Sequence, residues 1–409
     1  MRILIISQYY PPEVGALATR MSDLARQLTA LGHTVTVIGE IPNYPKGIIA
    51  KEYRGRLFVR EKYQGTDVIR SFVLASPRKT NVERLSTYLS FMVSSVFAAA
   101  FVQRCDVVLA TSPPLFVGVS GYVVSRLMGS KFVFDVRDLW PESAVYLGEM
   151  KRGAITNLAE RLERFLYRKA TRISIAVPGF RQRLTARLAV DDKILEFPNG
   201  VDTSLFYPRE EAKDLREKVG LQDKFVVLFS GNLGLAQGLR SVLQAAKLLQ
   251  NESDIVFVLV GEGVEKAKLI EERNRLGLKR ILFWAAQPHA RMPAIISMAD
   301  VCLVPLKNLE LFTTALPSKM FEYMACGRPI VSTLVGEGEA LVRRANAGIS
   351  VEPENAGAIA DAILQLYRNR RQREELGQNG LRFVREHYTR SQIVAHFERQ
   401  LVELVAHSQ

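Results

Sequence analysis

Short apolar runs alternate with longer stretches of helical period along the whole chain. RILIIS at 2–7 is followed by a polar loop, a helix-like segment to Leu31, a Gly32-His33 turn and TVTVI at 34–38. That order is the strand–loop–helix–strand unit of a parallel sheet. Runs at 68–74, 106–111, 131–136, 173–177 and 194–197 continue it. The pattern resumes at 225–229, 255–260, 281–286, 299–305 and 330–331. It ends in a helix over 389–406 that carries Ile393, Phe397, Leu401 and Leu404. Strands alternating with helices predict an α/β protein built on parallel sheets. Such sheets bind ligands outside the carboxyl ends of their strands, so the loops after the runs are where chemistry is sought.

A chain of 409 residues exceeds one ordinary core and suits two domains. The break is placed at Pro198-Asn199-Gly200-Val201-Asp202, where Pro and Gly suit a hinge. The expected division is 1–198, 199–388 and a terminal helix, 389–409, that returns to the first domain. Each half opens with a glycine-bearing strand-to-helix loop, Gly15 in the first and Gly231 with Gly234 in the second.

Composition adds a compartment and a partner class. Hydrophobic content of 48% with 24% charged residues fits a soluble globular protein. Three cysteines, at 105, 302 and 326, suit a reducing compartment and offer no metal spacing. The first residues turn polar too soon for a signal peptide. The net charge of +13 calls for an anionic partner, and no nucleic-acid motif accompanies it.

Residues 85–103 run for nineteen positions without a charge, long enough to weigh as a membrane span. The runs on either side are expected in one sheet, which a spanning helix would pull apart. A core helix or a helix partly embedded in a membrane face remains, and Arg78, Lys79 and Arg84 favour the second. Residues 151–187 hold ten Lys or Arg against two Glu, either a solvated face or a second membrane-facing patch.

The densest chemical signal is LFTTALPSKMFEYMACGRPIV at 311–331. Pro317-Ser318 opens a helix, Cys326-Gly327 stops it, and Arg328-Pro329 turns the chain into a strand. Ser318, Lys319 and unpaired N–H groups then meet at a helix start, where an anion is held. Glu322 follows one turn later, suited to sugar hydroxyls. A second candidate is Arg137-Asp138-Leu139-Trp140-Pro141-Glu142, where charges end a buried strand; the plainer reading is an Arg–Asp pair that caps the loop.

PSKMFEYMACGRPIV resembles the donor-binding segment of retaining glycosyltransferases of the GT-B fold, family 4. Its Pro-Ser-Lys form is similar to a bacterial branch that includes lipid-linked fucosamine transferases. YYPPEVGALATR resembles the acceptor-side loop of that branch, and PNGVD the family's linker. The resemblance implies two facing Rossmann-like domains with a cleft between them. It implies Glu322 on the nucleotide ribose. Lys319, Pro317, Ser318, Gly15, Gly231, Asn232 and Gly234 would lie around the diphosphate and donor sugar, and Glu13 and Arg20 on the acceptor. Arg137 falls where many members carry a His facing the reacting sugar, with Asp138 after it; these two and Lys319 are the catalytic candidates. Three charge positions depart from the family pattern: Thr314 stands for its first Glu, and Asn232 and Gln237 for its loop Arg and Lys.

The function so implied is transfer of a sugar, an N-acetylated deoxyhexosamine in that branch, from a UDP-sugar. The acceptor would be a polyisoprenoid diphosphate-linked sugar. The partners are then the nucleotide-sugar, the lipid-linked acceptor and an anionic membrane surface, with no nucleic acid, no metal and no further cofactor. The expected location is cytoplasmic, peripheral on the inner face of the plasma membrane. A nucleotide-sugar 2-epimerase and a non-catalytic membrane-associated scaffold are the alternatives.

Overall fold

The computed structural model describes residues 1–406 other than Val14, Pro45, Lys79 and Glu149. It divides into two compact units, Met1–Pro198 with Ser391–Gln409, and Asn199–Arg390. The second unit keeps Thr389 and Arg390 because Val201 bridges Thr389, Arg390 donates its N–H to the Val201 carbonyl, and its guanidinium reaches the Gly200 carbonyl at 2.6 Å. The terminal helix Arg390–Ala406 then packs within the first unit, stacking Phe397 on Phe197 at 4.5 Å.

The first unit has eight strands: β1 (Arg2–Ile6), β2 (Thr34–Glu40), β3 (Phe58–Tyr63), β4 (Thr66–Ser71), β5 (Val107–Ser112), β6 (Lys131–Val136), β7 (Arg172–Ile175) and β8 (Ile194–Glu196). They lie in the order β3-β4-β2-β1-β5-β6-β7-β8, all parallel except β3. The second unit has six: β9 (Phe225–Ser230), β10 (Ile255–Val260), β11 (Ile281–Trp284), β12 (Val301–Val304), β13 (Ile330–Ser332) and β14 (Gly348–Ser350). Their order is β11-β10-β9-β12-β13-β14, parallel throughout. The central strands are fully buried, as near-continuous apolar runs require when helices cover both faces. Each sheet reverses its strand order once, between β1 and β5 and between β9 and β12. Both are Rossmann-like, and the fold is GT-B.

Two strands were not read from the sequence. Strand β3 pairs antiparallel with β4 through Gln64-Gly65, both with positive φ, the backbone of a two-residue hairpin turn. Strand β14 is a three-residue edge.

The apolar run at 85–103 is also displaced. Its helix starts earlier, at Asn81–Ala98, because Thr80 and Glu83 form a reciprocal capping box, and it ends in the turn Ala99–Phe101. Val82–Phe101 is long and apolar enough to cross a bilayer by composition. It connects β4 to β5 within one sheet, so a spanning orientation would tear that sheet. The helix is neither core nor fully exposed: Phe91, Ser94, Ser95 and Ala98 are buried, while Leu85, Leu89, Val93 and Phe97 face outward.

Candidate functional site

In the second unit the loops leaving β9 and β12 flank the point where strand order reverses, the place such sheets bind ligands. The first of them is shaped by glycines packed on backbone. Gly231 (φ 137°) lies so close to Gly261 that a Cβ on the latter would stand 1.9 Å from the Gly231 carbonyl oxygen. A Cβ on Gly263 would meet the Leu233 oxygen at 2.3 Å. The Asn232 side chain lies across Gly234 and Gly263. Lys266 ties these loops together by donating to the Gly261 carbonyl at 3.0 Å and to Glu262 at 2.7 Å.

The second loop leads into the helix Ser318–Ala325, with Pro317 extended before it and no side chain capping its first N–H groups. Ser318 is the first helical residue, not a cap. Lys319 reaches back to the β9 loop. Its Nζ donates to Gln237 Oε1 at 3.0 Å, sits 4.0 Å from the centre of the Phe229 ring, and would be 3.1 Å from a Cβ on Gly231. Burial pushes its pKa down to about 7, with Glu322 opposing. The amine is thus a poorly solvated cation with one hydrogen bond, ready to gain from an anion.

Glu322, one turn on, is half-buried with Oε1 3.9 Å from His289 Nε2, in the turn His289–Arg291 that follows β11. Tyr323 fastens the helix to the end of β9. Its hydroxyl accepts from the Ser230 N–H at 2.8 Å and lies 3.1 Å from Ser230 Oγ. Thr314 lies in the turn Glu310–Thr314 with its hydroxyl on the Leu311 carbonyl at 3.4 Å. The structure therefore brings Gly231, Asn232, Gly234, Lys319 and Glu322 around one switch point. It adds Phe229, His289 and Tyr323, which sequence reasoning missed. Tyr323 and Phe229 carried no signal beyond apolar periodicity; His289, just after the strand-ending Gln287-Pro288, could have been found.

The first unit treats its candidates differently. Gly15 is exposed and extended, with open space where a Cβ would stand, so nothing in the fold demands glycine there. Glu13 is buried: its Oε1 accepts the N–H groups of Asn43 and Tyr44 at 3.0 and 2.9 Å, and burial raises its pKa to about 7. Beside it Glu40 is fully buried, with oxygens accepting from Gln8 and Asn43 at 2.8 and 2.7 Å, and burial and Glu13 hold it well above the usual carboxyl range.

Arg20, expected on an acceptor, turns inward. Its guanidinium stacks on Phe197, donates to the carbonyls of Phe197 and Pro198, and stands 3.6 Å from Asp135. Asp135 is held in turn by Thr111 on β5 and Ser174 on β7, its register partners, at 2.8 and 2.6 Å. Arg20 is thus a brace, because a buried guanidinium must spend its donors within the fold.

At the end of β6, Asp138 accepts from the Ser143 hydroxyl at 2.9 Å. Arg137 is half-buried and, among the described residues, makes no side-chain hydrogen bond or ion pair. Burial lowers its pKa, with Asp135 and Asp138 opposing. The loop-capping reading thus fits Asp138 and leaves Arg137 available.

Two Rossmann-like units, one with a lysine and a glycine loop at its switch point, are the frame of a GT-B glycosyltransferase. Residues 15–200 match the glycosyl transferase 4-like domain, and residues 211–383 the domain described as glycosyl transferases group 1; the chain belongs to the glycosyltransferases built from this pair. Among its relatives is WcaI of Escherichia coli (strain K12), whose name provisionally assigns it as a colanic acid biosynthesis glycosyl transferase. It is 28% identical over 376 residues, which cover 89% of this chain and 92% of that one. Sucrose-phosphate synthase from Thermosynechococcus elongatus superimposes with a TM-score of 0.80 at 19% identity, covering 99% of both chains. Anabaena HepE, solved with UDP and glucose, gives 0.75 at 18% identity, covering 98% of this chain and 99% of that one. At such identities the two structures speak for the fold alone.

Proposed function

We propose that this glycosyltransferase moves a sugar, an N-acetylated deoxyhexosamine, from a UDP-sugar onto a polyisoprenoid diphosphate-linked sugar, with retention of configuration, in the synthesis of a bacterial surface polysaccharide. The donor binds the second unit and the acceptor the first. The observation that carries this reading is the Lys319 amine, held by Gln237 and Phe229 against Gly231 at the switch point of a parallel sheet. Breaking the anomeric bond builds positive charge on the sugar and negative charge on the departing diphosphate. A preorganised cation and the open N-terminus of Ser318–Ala325 stabilise that leaving group without reorganising at the moment of reaction. Glu322 accepts from the ribose hydroxyls. Arg137 supplies the second free cation, on the acceptor side, with Asp138 beside it.

The name of WcaI supports the polysaccharide setting, and HepE, solved with UDP, is an instance of this fold accommodating a uridine diphosphate. The charge of +13 and the outward apolar face of Asn81–Ala98 support work at the anionic inner face of the plasma membrane. The test is a panel of nucleotide-sugars offered with and without a prenyl diphosphate-linked sugar. Transfer from a UDP-sugar is expected; epimerised donor, or no turnover of any donor, overturns the reading.

A further inference from the structure

Between the helix Asn81–Ala98 and the β3–β4 hairpin runs an open groove of about 820 Å³. Leu57, Phe72 and Leu74 line one side and Leu89, Val93 and Phe97 the other, with Phe58 against Phe101 at 5.4 Å. Its size is that of a ligand site, within the roughly 300–1,000 Å³ such sites occupy. Its chemistry is not that of a sugar or a peptide. The hydroxyls in its lining are already spent: Ser86 donates to the Glu83 carbonyl, Ser90 to Thr87, and Ser94 to Phe72, at 2.8, 2.9 and 2.5 Å. An occupant with backbone carbonyls or hydroxyls finds no free hydroxyl proton in this lining to replace its hydrogen bonds to water. A hydrocarbon chain loses nothing.

The surroundings say where that chain comes from. Leu57, Phe97 and Val93 are 62%, 65% and 49% exposed and share the lining of one groove, a contiguous patch instead of scattered apolar residues. The ridge Leu85, Leu89, Val93, Phe97 repeats every four residues and extends about 18 Å. The helix packs beside Phe116–Met128, and that helix beside Ala154–Lys169, in one layer on the sheet. The neighbours continue the pattern: Leu127, Ile155 and Leu158 are exposed among Arg126, Arg161, Arg164 and Arg168. Arg78 and Arg104 stand exposed at the two ends of the groove's helix; Lys79 lies outside the described residues. Exposed apolar side chains among cations match an anionic bilayer, not a soluble partner.

We infer that this helix layer is the bilayer-facing surface and that the groove takes up one acyl chain of an anionic phospholipid. The inference rests on the membrane reading above and names the surface that performs it. Its test uses the full chain with phosphatidylglycerol–phosphatidylcholine vesicles. The wild-type protein is expected to float with them, and Val93→Asp and Phe97→Ser, both at exposed positions, to weaken binding at least tenfold at fixed salt. UDP affinity and thermal midpoint should stay unchanged, which separates lost insertion from lost fold. Leu89→Trp is expected to be quenched by brominated acyl chains beyond the background from Trp140 and Trp284. If the wild type floats but both groove variants float equally well, the groove is refuted while charge-driven membrane binding stands. If the wild type does not float at low salt, both fail. If instead the wild type is a dimer that Val93→Asp dissociates, the groove is an interface between copies and the inference is overturned.

Discussion

On the proposed function, nucleotide binding beside the Lys319 amine is expected to be a proton-linked event. In the free protein its pKa is about 7, because burial penalises the charged form. A diphosphate placed beside it favours the charged form, so binding must draw a proton wherever the free amine is neutral. Near pH 8 about nine tenths of the free sites are neutral, and each further pH unit costs about tenfold in affinity, ~1.4 kcal/mol. From pH 7 to 9 the expected loss of UDP affinity is about fiftyfold, so long as the pKa of the complex lies above that range. The terminal phosphate of UDP ionises near pH 6, about a unit below this window, and does not mask it. Calorimetry in buffers of different ionisation enthalpy should find about half a proton taken up at pH 7 and nearly one at pH 8. Lys319→Arg keeps a fixed charge and should flatten the profile; Lys319→Ala should flatten it and cost about 1.5–3 kcal/mol at pH 7. A wild-type affinity constant from pH 7 to 9, with no proton uptake, would refute the role given to this amine.

Three further outcomes are expected. Glu322→Gln should weaken UDP and UDP-sugar together, by about tenfold, for want of a charged acceptor on the ribose; titration calorimetry checks both ligands. Transfer should persist in excess EDTA, since Lys319 and a helix N-terminus are assigned the diphosphate charge; strict dependence on added Mg²⁺ in the transfer assay would remove that assignment. The carboxyls of Glu13 and Glu40 are both raised by burial, Glu13 from 4.5 to about 7, so the folded chain binds more protons than the unfolded one across that window. The stability they contribute is present at its lower edge and lost as pH rises through about 7. Thermal midpoints measured from pH 5 to 8.5 should fall with pH, and fall less in Glu40→Gln.

Much of the fold was legible because buried parallel strands announce themselves as apolar runs. The hairpin of β3 was missed since one face of Phe58–Tyr63 is polar and its turn is Gln-Gly instead of a commoner pair. The candidate site was legible where spacing along one helix decides which side chains meet, as with Lys319 and Glu322. What spacing does not carry is direction. Glu13 and Arg20 sit in a loop and on a helix whose polar residues can face either way, and both face inward. Tyr323 reads as one more apolar helix position, yet its hydroxyl is what joins that helix to Ser230.

The buried arginines show why direction matters more than charge count. With 55 Lys and Arg in the chain, the net charge says little about which cation can meet a phosphate. Arg70 is fully buried, paired with Glu61 at 2.7 Å and donating to the carbonyls of Tyr10 and Pro11. Arg20 is spent in the same way. Such groups cannot also grip a ligand, since leaving their present partners would strand buried acceptors at about 1–3 kcal/mol each. Lys319 differs: a neutral amide and an aromatic face hold it, neither of which cancels its charge. That also accounts for the substitutions at 232 and 237. Gln237, at a position where the family's loop cation is expected, does not replace that cation but orients one arriving from the opposite loop. On the proposed function the candidate site would keep a positive charge while moving it onto a helix, at the end where the first N–H groups lie uncapped.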